Sequence, residues 1–302
     1  MIGEGTTGGP LGPHASPPEV VAAATSALFL GYSAPMPGAD SRYSDGVVAH
    51  ETRLLGVPAL VGATSGAAGR PVGETVLEAV LGSRSAAGYA DLRAVGYLAP
   101  LTRAALLSER LGKVLAGLSH EDVRLFSRAV EAAGPGHIGG MLDRALDVAL
   151  GAGRGATLRD AMRFAADRDL MAREYARGFE VTRELARPAL FAALSRVEAS
   201  RPALVQAYLE VLAQMPDLDV ASRAGRKEAE EVSRMANGVL KAGGVGSRRG
   251  LQGITNLDGL LRADRRLSPS ATEPPVIAAA FLISLEQGPE LLNYRVRPAP
   301  GR

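Results

Sequence analysis

The feature that most constrains this chain is a spacing. Between residues 157 and 179, apolar or small side chains fall at Leu158, Met162, Ala165, Ala172, Ala176 and Phe179. Steps of four and three, or their sum, put these positions on one face of an α-helix. The single gap in that seam is filled by Asp169. A carboxylate turned toward a core must find a partner, because an unpaired buried charge is very costly. Arg173, one turn on, and Arg168, beside it, are the nearest candidates. Asp169 is then either half of a core-holding ion pair or an acid that faces a ligand.

No segment sustains the period of two expected of a strand. Hydrophobic residues make up 46% of the chain and aromatics only 4%, with no Trp, so a core must be built from Ala, Leu and Val. Ala and Leu favour helix, whereas β-branched and aromatic residues favour strand. The expected fold is all-α, a single multi-helix domain with no sheet. A length of 302 residues allows one large domain or two ordinary ones. The short Gly/Pro breaks do not resemble a linker, and no internal repeat is evident. The expected organisation is a disordered tail at 1–16, a helical domain at 17–292 and a second tail at 293–302.

Helices are expected at 18–31, 74–85, 94–108, 120–133, 141–150, 157–179, 183–200, 201–215, 219–242 and 275–287. Ser119 with Asp122, and Thr157 with Asp160, have the spacing of capping boxes. The Gly-rich stretch 62–73 is expected to be a mobile loop.

Basic and acidic residues nearly balance at 34 and 32, so there is no electrostatic footprint for nucleic acid. Lys occurs only at Lys113, Lys227 and Lys241; the remaining basic residues are Arg, which suits phosphate recognition. The absence of Cys excludes disulfides and thiolate metal sites. The apolar run 20–30 is too short to span a bilayer, and the opening residues lack the basic flank of a signal peptide. A cytoplasmic protein without a membrane partner is expected. A homo-oligomer is compatible with the sequence, which specifies no oligomeric state.

Four features can carry chemistry, each beside a plainer role. The loop Gly134-Pro135-Gly136-His137-Ile138-Gly139-Gly140 precedes a helix, where free amides suit an anion; otherwise it is a helix–helix turn. Asp143 and Asp147 share a helix face and can hold Mg2+ through water; otherwise they are a solvated face. Asp217 and Asp219, after Met215-Pro216, can cap the next helix or turn inward beside Asp169 as ligands. Arg223 can meet phosphate or pair with either Asp. The four His lack metal-ligand spacing, and no P-loop, dinucleotide or Gly-x-Ser-x-Gly pattern is present.

Arg168-Asp169-Leu170-Met171-Ala172-Arg173-Glu174-Tyr175-Ala176-Arg177-Gly178-Phe179 resembles the "RDxIAREYxxGF" helix of triphosphoribosyl-dephospho-CoA synthases. Met215-Pro216-Asp217-Leu218-Asp219-Val220-Ala221-Ser222-Arg223-Ala224-Gly225 is similar to that family's "xPDTLIARKxG" segment, and shorter matches follow in order across residues 18–288. The resemblance implies an all-α transferase. Family enzymes join the triphosphoribosyl part of ATP to the 2′-hydroxyl of dephospho-CoA, release adenine, and so make a prosthetic group for acyl carriers.

Three polar loops depart from the pattern. "PKPGNV" stands here as Pro35-Met36-Pro37-Gly38-Ala39-Asp40, "NTNLG" as Tyr89-Ala90-Asp91-Leu92-Arg93, and "NPGTTAD" as Ser268-Pro269-Ser270-Ala271-Thr272-Glu273-Pro274. The expectation is a divergent transferase that moves a phosphoribosyl-type or nucleotide-derived group onto a CoA-like or other cofactor acceptor, with ATP or a related nucleotide and Mg2+. Asp169 and Asp217 would be its catalytic carboxylates and, with Asp143, its metal ligands. Arg168, Arg173 and Arg223 would face phosphate, with Gly136, His137, Gly139 and Gly140 alongside. The altered loops also suggest an alternative from a second class, a non-catalytic homologue that binds a nucleotide-like ligand or serves in a protein complex.

Overall fold

The computed structural model describes residues 15–288 apart from 44, 45, 47 and 198. The chain runs through α1 (Pro17–Ser33), α2 (His50–Ser65), α3 (Val72–Ala87), α4 (Leu92–Leu107), α5 (Leu111–Ala116), α6 (His120–Ala133), α7 (Gly140–Gly151) and α8 (Leu158–Ala165). It continues through α9 (Leu170–Arg177), α10 (Arg187–Arg196), α11 (Ser200–Gln214), α12 (Leu218–Arg223), α13 (Arg226–Lys241), α14 (Arg248–Ala263) and α15 (Glu273–Gln287). No strand occurs among the described residues. The all-α fold follows from the composition, since a core of Ala and Leu is most readily packed as helices.

Two helices sit at the centre because they are apolar on every side. α15 buries every residue from Pro274 to Ser284, and α4 buries all but Arg93 and Arg103 of its first fifteen residues. α1 packs on α2, α4 and α15, while α3 joins α2 to α6. Gly31 sets the closeness of α1 to α15, since a Cβ there would lie 2.5 Å from Ile277 Cγ1.

Both capping boxes form as the spacing predicts. Asp122 N–H donates to Ser119 Oγ while Ser119 N–H donates to Asp122, and Thr157 and Asp160 repeat the exchange. Of the expected tails, residues 1–14 and 293–302 lie outside the described residues. Ala15 and Ser16 are docked: Ala15 N–H donates to Ala105 O at 3.4 Å, and Ser16 caps α1 with Glu19.

The expected long helix at 157–179 is two helices, α8 and α9, parted by a turn at 166–169. Asp169 stands in extended backbone (φ −138°, ψ 128°) as the N-cap of α9. The seam reads as continuous because both helices bury that side: Leu158, Met162 and Ala165 on one, Ala172 and then Phe179 beyond the other. The stretch expected as one helix at 219–242 also divides, where Gly225 takes φ +116° between α12 and α13. The loop expected at 62–73 is mostly packed. Its first residues complete α2, Ala67 is buried, and Arg103 Nη1 donates to the carbonyls of Ala67 and Ala68 at 2.8 and 3.1 Å.

Candidate functional site

Arg53 is the one charged side chain that α2 buries. Two acids at helix N-termini meet it. Asp91 caps α4 through Oδ1, which accepts from Ala94 N at 3.0 Å, and Glu273 is the first residue of α15. Arg53 Nη2 donates to Asp91 Oδ2 at 3.0 Å and to Glu273 Oε1 at 2.9 Å. Its Nη1 donates to Asp40 O, its guanidinium lies 3.8 Å from the Tyr32 ring centroid, and Tyr32 OH donates to Asp91. Burial pushes both carboxyls up. For Asp91 the Arg53 charge and the bonds from Ala94, Arg53 and Tyr32 outweigh burial, and its pKa ends below the ordinary value. For Glu273 burial wins over Arg53, and its pKa ends above it.

A second charged cluster adjoins the first. Arg93, in the first turn of α4, donates through Nε to His137 O at 2.7 Å and through Nη1 to Asp219. Asp219 also accepts from Ser270 Oγ at 2.6 Å. Burial would raise the Asp219 carboxyl, but Arg93 holds it below its ordinary value. Neighbouring Asp217 is fully buried and is driven the other way, first by burial and then by the Asp219 charge. Arg223 Nε donates to Asp219 O at 3.2 Å, and its Nη2 to Ser268 O and Ser270 Oγ. Arg262 holds Asp258 through Nε and donates to Ala39 O at 2.5 Å, while Gly38 N–H also donates to Asp258.

These clusters wall a cavity of about 590 Å³. Segments 38–40, 89–94, 135–137 and 268–274 meet there, joined by Arg53 and by Arg223, Arg262 and Arg265. All three loops that depart from the family pattern therefore open onto one space. Behind it lies a hole of about 10 Å³ bounded by Arg93, Tyr97, Asp169 and Asp219. That is at the lower limit for one water, and the Tyr97 hydroxyl is buried without a protein partner.

The residues expected to form the site are distributed as follows. Asp169 does not pair with Arg168 or Arg173. Its Oδ1 accepts from Ala172 N at 2.9 Å and its Oδ2 from Gly139 N at 3.0 Å. Arg168 is exposed, and Arg173 Nε donates to Ala166 O. The cap takes precedence because an Asp at the N-cap meets helix N–H groups already aimed at it. Asp217 caps α12 through Oδ1, and its Oδ2 accepts from Ala271 N at 3.0 Å and Thr272 Oγ1 at 2.7 Å. Asp169 and Asp217 both lie within electrostatic reach of Arg93, behind the cavity wall. Gly136, His137 and Arg223 line the cavity itself. Gly139 anchors its loop to Asp169, and Gly140 begins α7.

Asp143 and Asp147 are exposed on α7. The set Asp169, Asp217 and Asp143 does not fit a metal site. The first two already accept from backbone and hydroxyl donors, the third faces solvent, and no metal-holding group of three acids or His occurs among the described residues.

Sequence reasoning missed Arg53, Arg262 and Arg265, because the helices and the loop that carry them were not recognised. Asp91 and Glu273 sat inside the altered loops, and Asp219 was weighed only as a cap or ligand beside Asp217.

A family model described as ATP:dephospho-CoA triphosphoribosyl transferase matches residues 18–291, which include every segment of the cavity. A crystal structure from Archaeoglobus fulgidus, assigned as a triphosphoribosyl-dephospho-CoA synthase, is similar with a TM-score of 0.58 and 21% identity. The match covers 80% of this chain and 100% of the other, and at that identity it shows a shared fold. No curated protein matches the chain.

Proposed function

The chain belongs to the ATP:dephospho-CoA triphosphoribosyl transferase family, and we propose that it moves a phosphoribosyl-type or nucleotide-derived group onto a cofactor-like acceptor inside the arginine-walled cavity. The observation that carries this reading is convergence. Four segments spread from residue 38 to residue 274 meet on one space whose wall holds Arg53, Arg93, Arg223, Arg262 and Arg265. Guanidinium groups match phosphate oxygens in number and geometry. Displacement at a sugar anomeric carbon builds positive charge, which wall acids stabilise if they are already in place. Asp91 and Glu273 line the same wall, held by Arg53 beside them.

ATP or a related nucleotide is the donor in this reading and a CoA-like molecule the acceptor, as the family's description suggests. Magnesium enters only as counter-ion of a nucleotide triphosphate, part of the substrate, because Asp169 and Asp217 are taken by other donors. A cytoplasmic setting belongs to the same reading.

One observation favours a second reading. Met36, where the family motif has Lys, is 1% exposed and belongs to the core, so this loop offers no cation to a phosphate. A homologue that binds a nucleotide-like ligand without turnover fits that change. Thermal shift of the full chain with ATP, dephospho-CoA and phosphoribosyl pyrophosphate is the first test, since a ligand stabilises the folded state by mass action. Chromatography for released nucleobase is the second. A shift with base release supports the transferase, a shift without it the binding module, and no shift with any of the three removes the nucleotide cavity.

A further inference from the structure

The contacts around the cavity mouth can be followed in order. The Tyr89 and His137 rings are neighbours, 5.6 Å between centroids. From His137 O the path goes to Arg93, then Asp219, then Arg223 and Ser268. Ser268 Oγ donates to Gly38 O at 2.7 Å, and Ala39 O next to it accepts from Arg262. Asp40 O then accepts from Arg53, which reaches Asp91, two residues from Tyr89. The path closes on itself, and several bonded residues separate the two rings from Arg262 in either direction along it.

Charge divides the same way. Beside the rings, two guanidinium groups, those of Arg53 and Arg93, stand among four carboxylates, those of Asp40, Asp91, Asp219 and Glu273. On the far side stand Arg223, Arg262 and Arg265, of which only Arg262 is paired with a carboxylate of that side, that of Asp258. Arg265 is exposed at the rim, and its side chain has no hydrogen-bond or ion-pair partner among the described residues. An anion entering the cavity is repelled from the first side and drawn to the second. A flat, uncharged ring is suited to the first, where burial holds the His137 imidazole below its ordinary pKa and so in its neutral form.

We propose that the cavity takes its ligand across the mouth, a heteroaromatic ring against Tyr89 and His137 and a phosphate tail against Arg265 with Arg223 and Arg262. This rests on the nucleotide reading of the same cavity and adds a direction to it. The ligand class is a ring-bearing phosphate ester, held by stacking at one end and by guanidinium groups at the other.

The test uses the full chain with three probes, ATP, adenosine and inorganic tripolyphosphate, each titrated by calorimetry. Two variants leave the ion pairs of the wall in place. Arg265→Ala removes an unpartnered side chain. His137→Ala keeps the backbone carbonyl that holds Arg93. Arg265→Ala is expected to weaken tripolyphosphate about fivefold or more and leave adenosine unchanged. His137→Ala is expected to do the reverse by a similar factor. If either variant weakens both fragments equally, or neither fragment, while ATP still binds the parent chain, the direction is wrong and the nucleotide reading stands. If ATP does not bind the parent chain at all, both fall together.

Discussion

Replacing Asp169 separates an anchor from a catalytic acid. The residue is 3% exposed, and each of its oxygens accepts one backbone N–H, from Ala172 and from Gly139. Asp169→Asn keeps one oxygen for the α9 cap and turns an amide NH2 toward the Gly139 N–H. One donor is then left unmade, at a cost of about 1–3 kcal/mol. Asp169→Ala also removes the cap, worth about 1 kcal/mol more, for roughly 2–4 kcal/mol in all. In a domain of this size the alanine change should lower Tm by about 3–7 °C. Urea denaturation should show a lower midpoint at unchanged slope, the mark of lost stability without a changed unfolded state. Hydrogen exchange at the Gly139 amide should quicken, since its acceptor is gone. The reasoning is refuted if Asp169→Asn matches the parent within about 0.5 kcal/mol, the range of ordinary surface changes, while base release disappears. Asp169 would then act on substrate and the two N–H contacts would be incidental.

Glu174 is 1% exposed and accepts from Thr182 N and Oγ1, and burial pushes its carboxyl up to about 8. With a folded pKa above the unfolded one, the folded state binds the extra proton. Stability should fall by about 1.4 kcal/mol per pH unit from about pH 4.3 up to the folded pKa. Glu174→Gln should flatten that slope in urea titrations between pH 5 and 9, and an unchanged slope would remove the assignment. Arg53→Ala leaves Asp91 and Glu273 buried without their cation and should cost about 3–5 kcal/mol, read as a large loss of Tm or of soluble protein. Gly73→Ala should cost about 1–3 kcal/mol, because its Cβ would meet the Asp122 backbone oxygen at 2.7 Å. Gly96→Ala should cost less, since the atom it meets at 2.5 Å is Sδ of the flexible Met171.

Local devices were legible in the sequence and long-range ones were not. The capping boxes at Ser119 and Thr157 need only residues three apart, so spacing reveals them. Asp169 was correctly marked as buried and in need of partners. The seam could not show that those partners are amides, because two helices leaving a turn on the same side keep the rhythm of one. α2 escaped notice because Gly56, Pro58 and Gly62 interrupt its pattern, and tertiary packing holds Pro58 inside a helix. α14 escaped because it buries only Gly250, Leu257 and Leu261. The cavity was visible only indirectly. Its altered loops were identified as a group by resemblance, but nothing local links Arg53 to Glu273, 220 positions away.

Asp91, Asp169 and Asp217 share a division of labour. Each gives one oxygen to the start of its own helix and the other to a distant part of the chain, 59, 30 and 54 positions away in turn. A helix so fastened cannot slide or unwind at its first turn without also releasing a remote part of the chain. Fraying and cavity collapse thus become a single event. The cavity should appear late in folding, after those long closures, and vanish in one step with the rest of the molecule.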